Sequence, residues 1–82
     1  MSRVVFYHKQ FKVLQVGQDS FVVVRKNSRT YEHHSHLSSL TGAIRLIKLL
    51  DQGILPHSPY LQESAKRLLR HQEFMRLKTT DA

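Results

Sequence analysis

The residues whose types and spacing could do most chemistry are Lys66, Arg67, Arg70, Phe74 and Lys78. Arg67, Arg70, Phe74 and Lys78 follow one another at steps of three, four and four, so on a helix they form one continuous row. Cationic side chains suit phosphate oxygens, and an exposed aromatic among them can stack on an unpaired base or fill a partner's pocket. The plainer reading is a solvated helix face, with Glu63 supporting Arg67 and Phe74 turned inward. A second basic group, Arg25, Lys26 and Arg29, surrounds the turn signal Asn27-Ser28, with Tyr31 beside it. Such a hairpin tip can brace a nucleic-acid backbone, or its charges can simply deter edge pairing. If both groups lie on one side of the molecule, they merge into a single stripe.

The densest polar cluster is Tyr31-Glu32-His33-His34-Ser35-His36. Glu32, His34 and His36, at successive steps of two, share one face of a strand, and His8 or His57 could add a ligand. Imidazole nitrogens with a carboxylate are a zinc donor set. In a chain with six histidines this spacing also arises by chance, and the expectation is polar residues joining a strand to a helix cap, with no metal or cofactor. On protonation near about pH 6 they would add positive charge and strengthen anion binding.

Motifs for catalysis are missing. The three glycines, Gly17, Gly42 and Gly53, are too far apart to build a phosphate-cradling loop. There is no cysteine nucleophile, and no serine, histidine and acid fall at a recognisable spacing. The chain is expected not to be an enzyme.

The elements that must position these residues change rhythm around His36. Before it, apolar and polar residues alternate in short runs; after it, apolar residues recur every three or four positions, so strands come first and helices second. Residues 3–8 and 11–16 read as two strands, or as one strand bent at Lys9-Gln10. Gly17-Gln18-Asp19-Ser20 makes a hairpin between 11–16 and 21–26. Treated as a four-residue loop, it sets Val16 opposite Phe21 and Leu14 opposite Val23. After Asn27-Ser28, residues 29–34 pair back as a further strand. Both faces of this meander carry apolar residues, so something must cover the second one, and a homodimer through the sheet is one way to do it.

Ser38 or Ser39 caps a helix over 39–52, whose stripe is Leu40, Ala43, Ile44, Ile47 and Leu50, widened by Leu46 and Leu49. Gly53 terminates it, Ile54 makes the accompanying hydrophobic contact, and Pro56 prevents continuation. Ser58-Pro59 opens a second helix over 59–78, with Leu61, Ala65, Leu68, Leu69 and Met75 facing inward. The fold expected is a single α+β domain over residues 1–82. It comprises an antiparallel β-meander of three to four strands within about residues 3–34, followed by an αα-hairpin packed on one face.

Composition sets the remaining limits. Thirteen Lys and Arg against six Asp and Glu give a net charge of +7, spread over both halves of the chain. Such a field favours polyanions, nucleic acid first, although an acidic protein or an anionic membrane surface satisfies it too. With no cysteine and no apolar run of membrane-spanning length, the expectation is a cytoplasmic protein without disulfides or a membrane span. The leading expectation is a small accessory protein binding nucleic acid non-specifically through phosphate contacts. The alternative is a homodimeric protein-interaction module that docks an acidic partner, with Phe74 as its anchor.

Overall fold

The computed structural model describes residues 2–28 and 33–79. Four strands form one antiparallel sheet in sequential order: β1 (Arg3–His8), β2 (Phe11–Gly17), β3 (Ser20–Arg25) and β4 (His34–Leu37). The helices α1 (Leu40–Asp51), α2 (Pro59–Leu68) and α3 (His71–Met75) follow. This is the expected α+β arrangement, a meander with its helices packed on it.

Lys9-Gln10 closes a hairpin between β1 and β2, with His8 opposite Phe11, so residues 3–16 are two strands. Lys9 takes a left-handed backbone, φ 54°, as a tight turn demands of one of its residues. The second hairpin is tighter than the four-residue loop expected. Gly17 pairs with Ser20, which leaves only Gln18-Asp19 in the turn, and an irregularity between Gln15 and Gly17 absorbs Val16. The register therefore sets Gln15 opposite Phe21, Leu14 opposite Val22 and Val13 opposite Val23, and not Val16 opposite Phe21 or Leu14 opposite Val23. Of the strand expected over 29–34, residues 29–32 lie outside the described residues; β4 runs on to Leu37 and carries His36 and Leu37 as paired residues opposite Val22 and Phe21.

Strand alternation then divides the sheet into two faces. Phe11, Val13, Phe21, Val23 and Leu37 join Ala43, Leu46, Ile47, Leu50, Leu61, Ala65, Leu68 and Leu69 in the core. Completely burying a Leu or Ile contributes about 1.5–3 kcal/mol; Leu46, Ile47 and Leu68 all reach that limit. The opposite face carries Val4, Leu14, Val22 and His36 in one row and Tyr7, Lys12, Val24 and His34 in the next.

The first helix has the expected punctuation. Ser39 Oγ accepts from the Gly42 N–H at 3.0 Å, satisfying one of the first-turn amides. At the other end, Gly53 at φ 73° donates to Leu50 O, and Ile54 donates to Leu49 O, the paired bonds of a Schellman motif. Pro59 stands at the start of α2, while Ser58 gives no side-chain cap.

The expected helix over 59–78 is interrupted. Leu69 is extended, φ −96° and ψ 155°, so α2 ends at Leu68 and the five-residue α3 restarts beyond Arg70. The break leaves Leu68 and the extended Leu69 both buried in the core. It also shifts the phase of the residues beyond it: Phe74 and Leu77 turn to pack against the core, and Met75, expected inside, is 66% exposed. Beyond α3, Lys78 forms a parallel bridge with Ile54. Its N–H donates to Gly53 O at 2.8 Å, and its O accepts from the Leu55 N–H at 2.9 Å.

Candidate functional site

The row of cations expected on the second helix is divided by the break after Leu68. Lys66 and Arg67 stand exposed on α2, and Arg67 Nε lies 3.9 Å from Glu63 Oε1 across one turn. Arg70 is exposed at the junction, and Lys78 lies past α3, held by its backbone bridge. Phe74 is half-buried against the core, so it is neither an exposed stacking platform among these cations nor a protruding anchor. Arg29 and Glu32, like Tyr31, lie outside the described residues.

Glu73 ties the end of β3 to the start of α3. Its Oε1 accepts from the Arg70 N–H at 3.1 Å, the contribution a glutamate makes to a capping box. Its Oε2 meets the Arg25 guanidinium at the end of β3. Arg25 also donates from Nη1 to Gln10 Oε1 at 3.2 Å, and its guanidinium carbon stands 5.4 Å from the centre of the Phe11 ring. Three anchors hold the fork at the end of the sheet. Partial burial raises the Glu73 pKa, but the Arg25 hydrogen bond, the Arg70 amide and the charges of both arginines together lower it more. The carboxyl therefore sits below its ordinary range, ionised between two arginines.

Beside Arg25 the surface dips into an open cleft of about 480 Å³ lined by Lys9, Gln10, Arg25, Lys26 and Asn27. Pairing creates it: Phe11 lies opposite Arg25, and the Lys26 N–H donates to Gln10 O at 2.7 Å, so the two turns stand side by side. The Lys26 ammonium stands 5.6 Å from the centre of the Tyr7 ring, within cation–π range, and Tyr7 is 58% exposed. Lys9 bonds Asp51 Oδ2 at 3.0 Å, with His8 Nε2 at 3.5 Å from the same oxygen. The Lys9 hydrogen bond is the main reason that the Asp51 carboxyl lies below its ordinary range; burial opposes it and His8 assists.

Lys9, Gln10 and Tyr7 were absent from the residues singled out in the sequence. The signal for them was the bend at Lys9-Gln10: read as a hairpin turn, it necessarily adjoins the end of the third strand.

The histidines form a second, smaller feature. His34 and His36 project from β4 on the face away from the helices, with Nε2 to Nε2 3.1 Å and rings nearly perpendicular at 78°. A recess of about 250 Å³ beside them is walled by Ser2, Leu14, Val16 and Val22. His8 is engaged at Asp51, 43 positions along the chain. Among the described residues no cluster of three or more metal-ligating side chains forms, and no helix is long and apolar enough to cross a membrane. No family model, curated protein or solved structure matches the chain.

Proposed function

We propose that the protein binds nucleic acid through phosphate contacts, without strong sequence preference, at the end of the sheet where Arg25, Lys26 and Lys9 adjoin Arg70. The observation that supports this most is the Glu73 contact, in which one carboxylate holds the Arg25 guanidinium at the end of β3 and the Arg70 main-chain amide at the start of α3. At this end of the sheet, Lys9 and Arg25 each share a carboxylate, while Lys26 lies over Tyr7. Lys26 is therefore the primary phosphate contact. Arg25 contributes its remaining donors, Lys66 and Arg67 extend the field along α2, and Tyr7 offers an exposed ring to an unpaired base.

An acidic protein would satisfy the same charge. Nucleic acid is preferred because the cations surround an open cleft beside a ring, and because Phe74, the anchor that a protein-interaction module would use, is packed against the core. Titrating a labelled single-stranded oligonucleotide and a labelled duplex at several salt concentrations tests the reading. Binding should weaken as salt rises, and Lys26→Ala together with Arg70→Ala should flatten the slope of log K against log salt by about 1.5–2. Absence of binding to either probe at low salt would sink the proposal.

A further inference from the structure

We infer that the ligand at this end of the sheet is single-stranded nucleic acid, held by stacking of one unpaired base on the Tyr7 ring while Lys26 takes the adjoining phosphate. The inference rests on the reading above, that phosphates meet the cations around the cleft, and it selects the kind of strand.

Tyr7 supplies the first argument. Its side chain is among the large apolar groups left in solvent, 58% exposed, and it stands on β1 at the rung opposite Lys12, one pair before the Lys9-Gln10 turn. Main-chain pairing therefore fixes its backbone before any ligand arrives. With only two torsions to settle, a tyrosine gives a large flat contact area at small entropic cost.

Lys26 supplies the second. Its ammonium is 5.6 Å from the centre of the Tyr7 ring, close to the outer limit of about 6 Å for a cation–π contact. A lysine ammonium is a compact charge on a flexible stem, and a phosphate draws it off the ring. One nucleotide carries its base and its phosphate a single sugar apart, so it meets the ring and the ammonium together. The base then takes the ring face that the ammonium leaves.

The cleft supplies the third. Gln10 and Asn27 line it together with Lys9, Arg25 and Lys26, and both amides are exposed. A side-chain amide carries donors and an acceptor, which suits the mixed edge of a base, whereas a phosphate needs donors alone. Gln10 Oε1 accepts from Arg25, so the N–H groups are the part of that amide offered to a base. The volume of about 480 Å³ falls within the range of about 300–1,000 Å³ of small-ligand sites.

A duplex gains little from these features. Its bases are stacked on both faces and paired at their edges, and presenting one to Tyr7 requires flipping it out of the stack. An unpaired strand offers its bases directly, and every base has a face to stack, so the contact tolerates any sequence.

The test compares a labelled oligothymidylate of about ten nucleotides with an abasic strand of the same length and charge, by fluorescence anisotropy at about 50 mM salt. The unaltered protein should bind the strand with bases about 5- to 150-fold more tightly, the worth of one stacked base. Tyr7→Ala should remove that difference and Tyr7→Phe should keep it. Tyr60→Ala, at a comparably exposed tyrosine on α2, should keep it too. Equal affinity of the unaltered protein for the two strands, or a difference that survives Tyr7→Ala, overturns the inference and leaves the phosphate reading standing. Binding to neither strand overturns both.

Discussion

Replacing Glu73 with glutamine should strengthen nucleic-acid binding while weakening the fold. The carboxylate lies between Arg25 and Arg70, and its two effects can be estimated separately. On the stability side, the Arg25 and Glu73 side chains are 29% and 39% exposed, and an ion pair in such a setting contributes about 0.2–1 kcal/mol. Weakening the acceptor for the Arg70 amide costs about 0.5 kcal/mol more. The sum is about 1 kcal/mol, or a fall of about 4–8 °C in Tm for a domain of this size. On the binding side, a phosphate on the outer edge of the Arg25 guanidinium stands about 6 Å from the carboxylate. Two unit charges at that distance repel by about 0.7 kcal/mol in water and about 2.8 kcal/mol at an effective dielectric of 20. A surface cleft lies nearer the first limit, so E73Q should bind a labelled oligonucleotide about 3- to 10-fold more tightly at 50 mM salt. Fluorescence anisotropy measures the affinity, and circular dichroism on the same sample reports the fold. If E73Q retains the native spectrum yet binds with unchanged or lower affinity, Arg25 and Arg70 are not in the footprint and the proposed surface is wrong.

Ser35 Oγ is fully buried and has no hydrogen-bond partner among the described residues. Ser35→Ala removes a desolvation penalty of about 1–3 kcal/mol against a smaller loss of strand propensity, so the urea midpoint should rise by the equivalent of about 1 kcal/mol; a fall would mean that the hydroxyl is stabilising. Leu46→Ala, at a site with no exposure, should cost about 2–5 kcal/mol in chemical denaturation, and a loss below 1 kcal/mol would contradict the packing described. Gly53→Ala meets no atom within 4 Å but must hold φ 73°, so it should cost about 1–2 kcal/mol, read as a lower Tm. Asp51 and Glu73 both have carboxyl pKa values below their ordinary ranges. Their contribution is complete above the unfolded-state pKa near about 4 and disappears as pH falls through the lower folded-state values. Stability should therefore drop on acidification from about pH 5 to 3, with a shallower drop in the D51N/E73Q double variant.

The elements were more legible in the sequence than their phases. Ser39, Gly53 and Pro59 act through local backbone chemistry, and each marks a helix end where the residue type alone places it. The hairpin at Gly17 to Ser20 was equally plain, but its register depended on whether two or four residues turn. Composition does not resolve that choice, because Val13, Leu14, Val22 and Val23 tolerate either face. The break at Leu69 was illegible for a related reason. The residues from 59 to 78 hold to helical spacing, and no glycine or proline near Leu69 marks the extended residue that interrupts it. The site inherited that uncertainty: the individual cations of its basic groups could be named, but the tie from β3 to α3 through Glu73 depends on a contact 48 positions apart in the chain. Lys9 and Tyr7 escape a sequence reading because a bend and a hairpin look alike until the partner strand is known.

The bridge between Ile54 and Lys78 bears on how the molecule opens. It fastens the last described segment to the loop between α1 and α2 by two main-chain bonds, so the residues from α3 to Lys78 are held at both ends. Releasing Lys78 also frees the Leu55 amide, and with it the loop that positions Pro56 at the start of the α2 crossing. Slow hydrogen exchange at Leu55 and Lys78 should accordingly rise and fall together, as one cooperative unit that includes Phe74 and Leu77 beneath it. Because Glu73 sits in the same unit, opening this clasp would also part Arg25 from Arg70. The binding surface proposed above therefore needs the closed state.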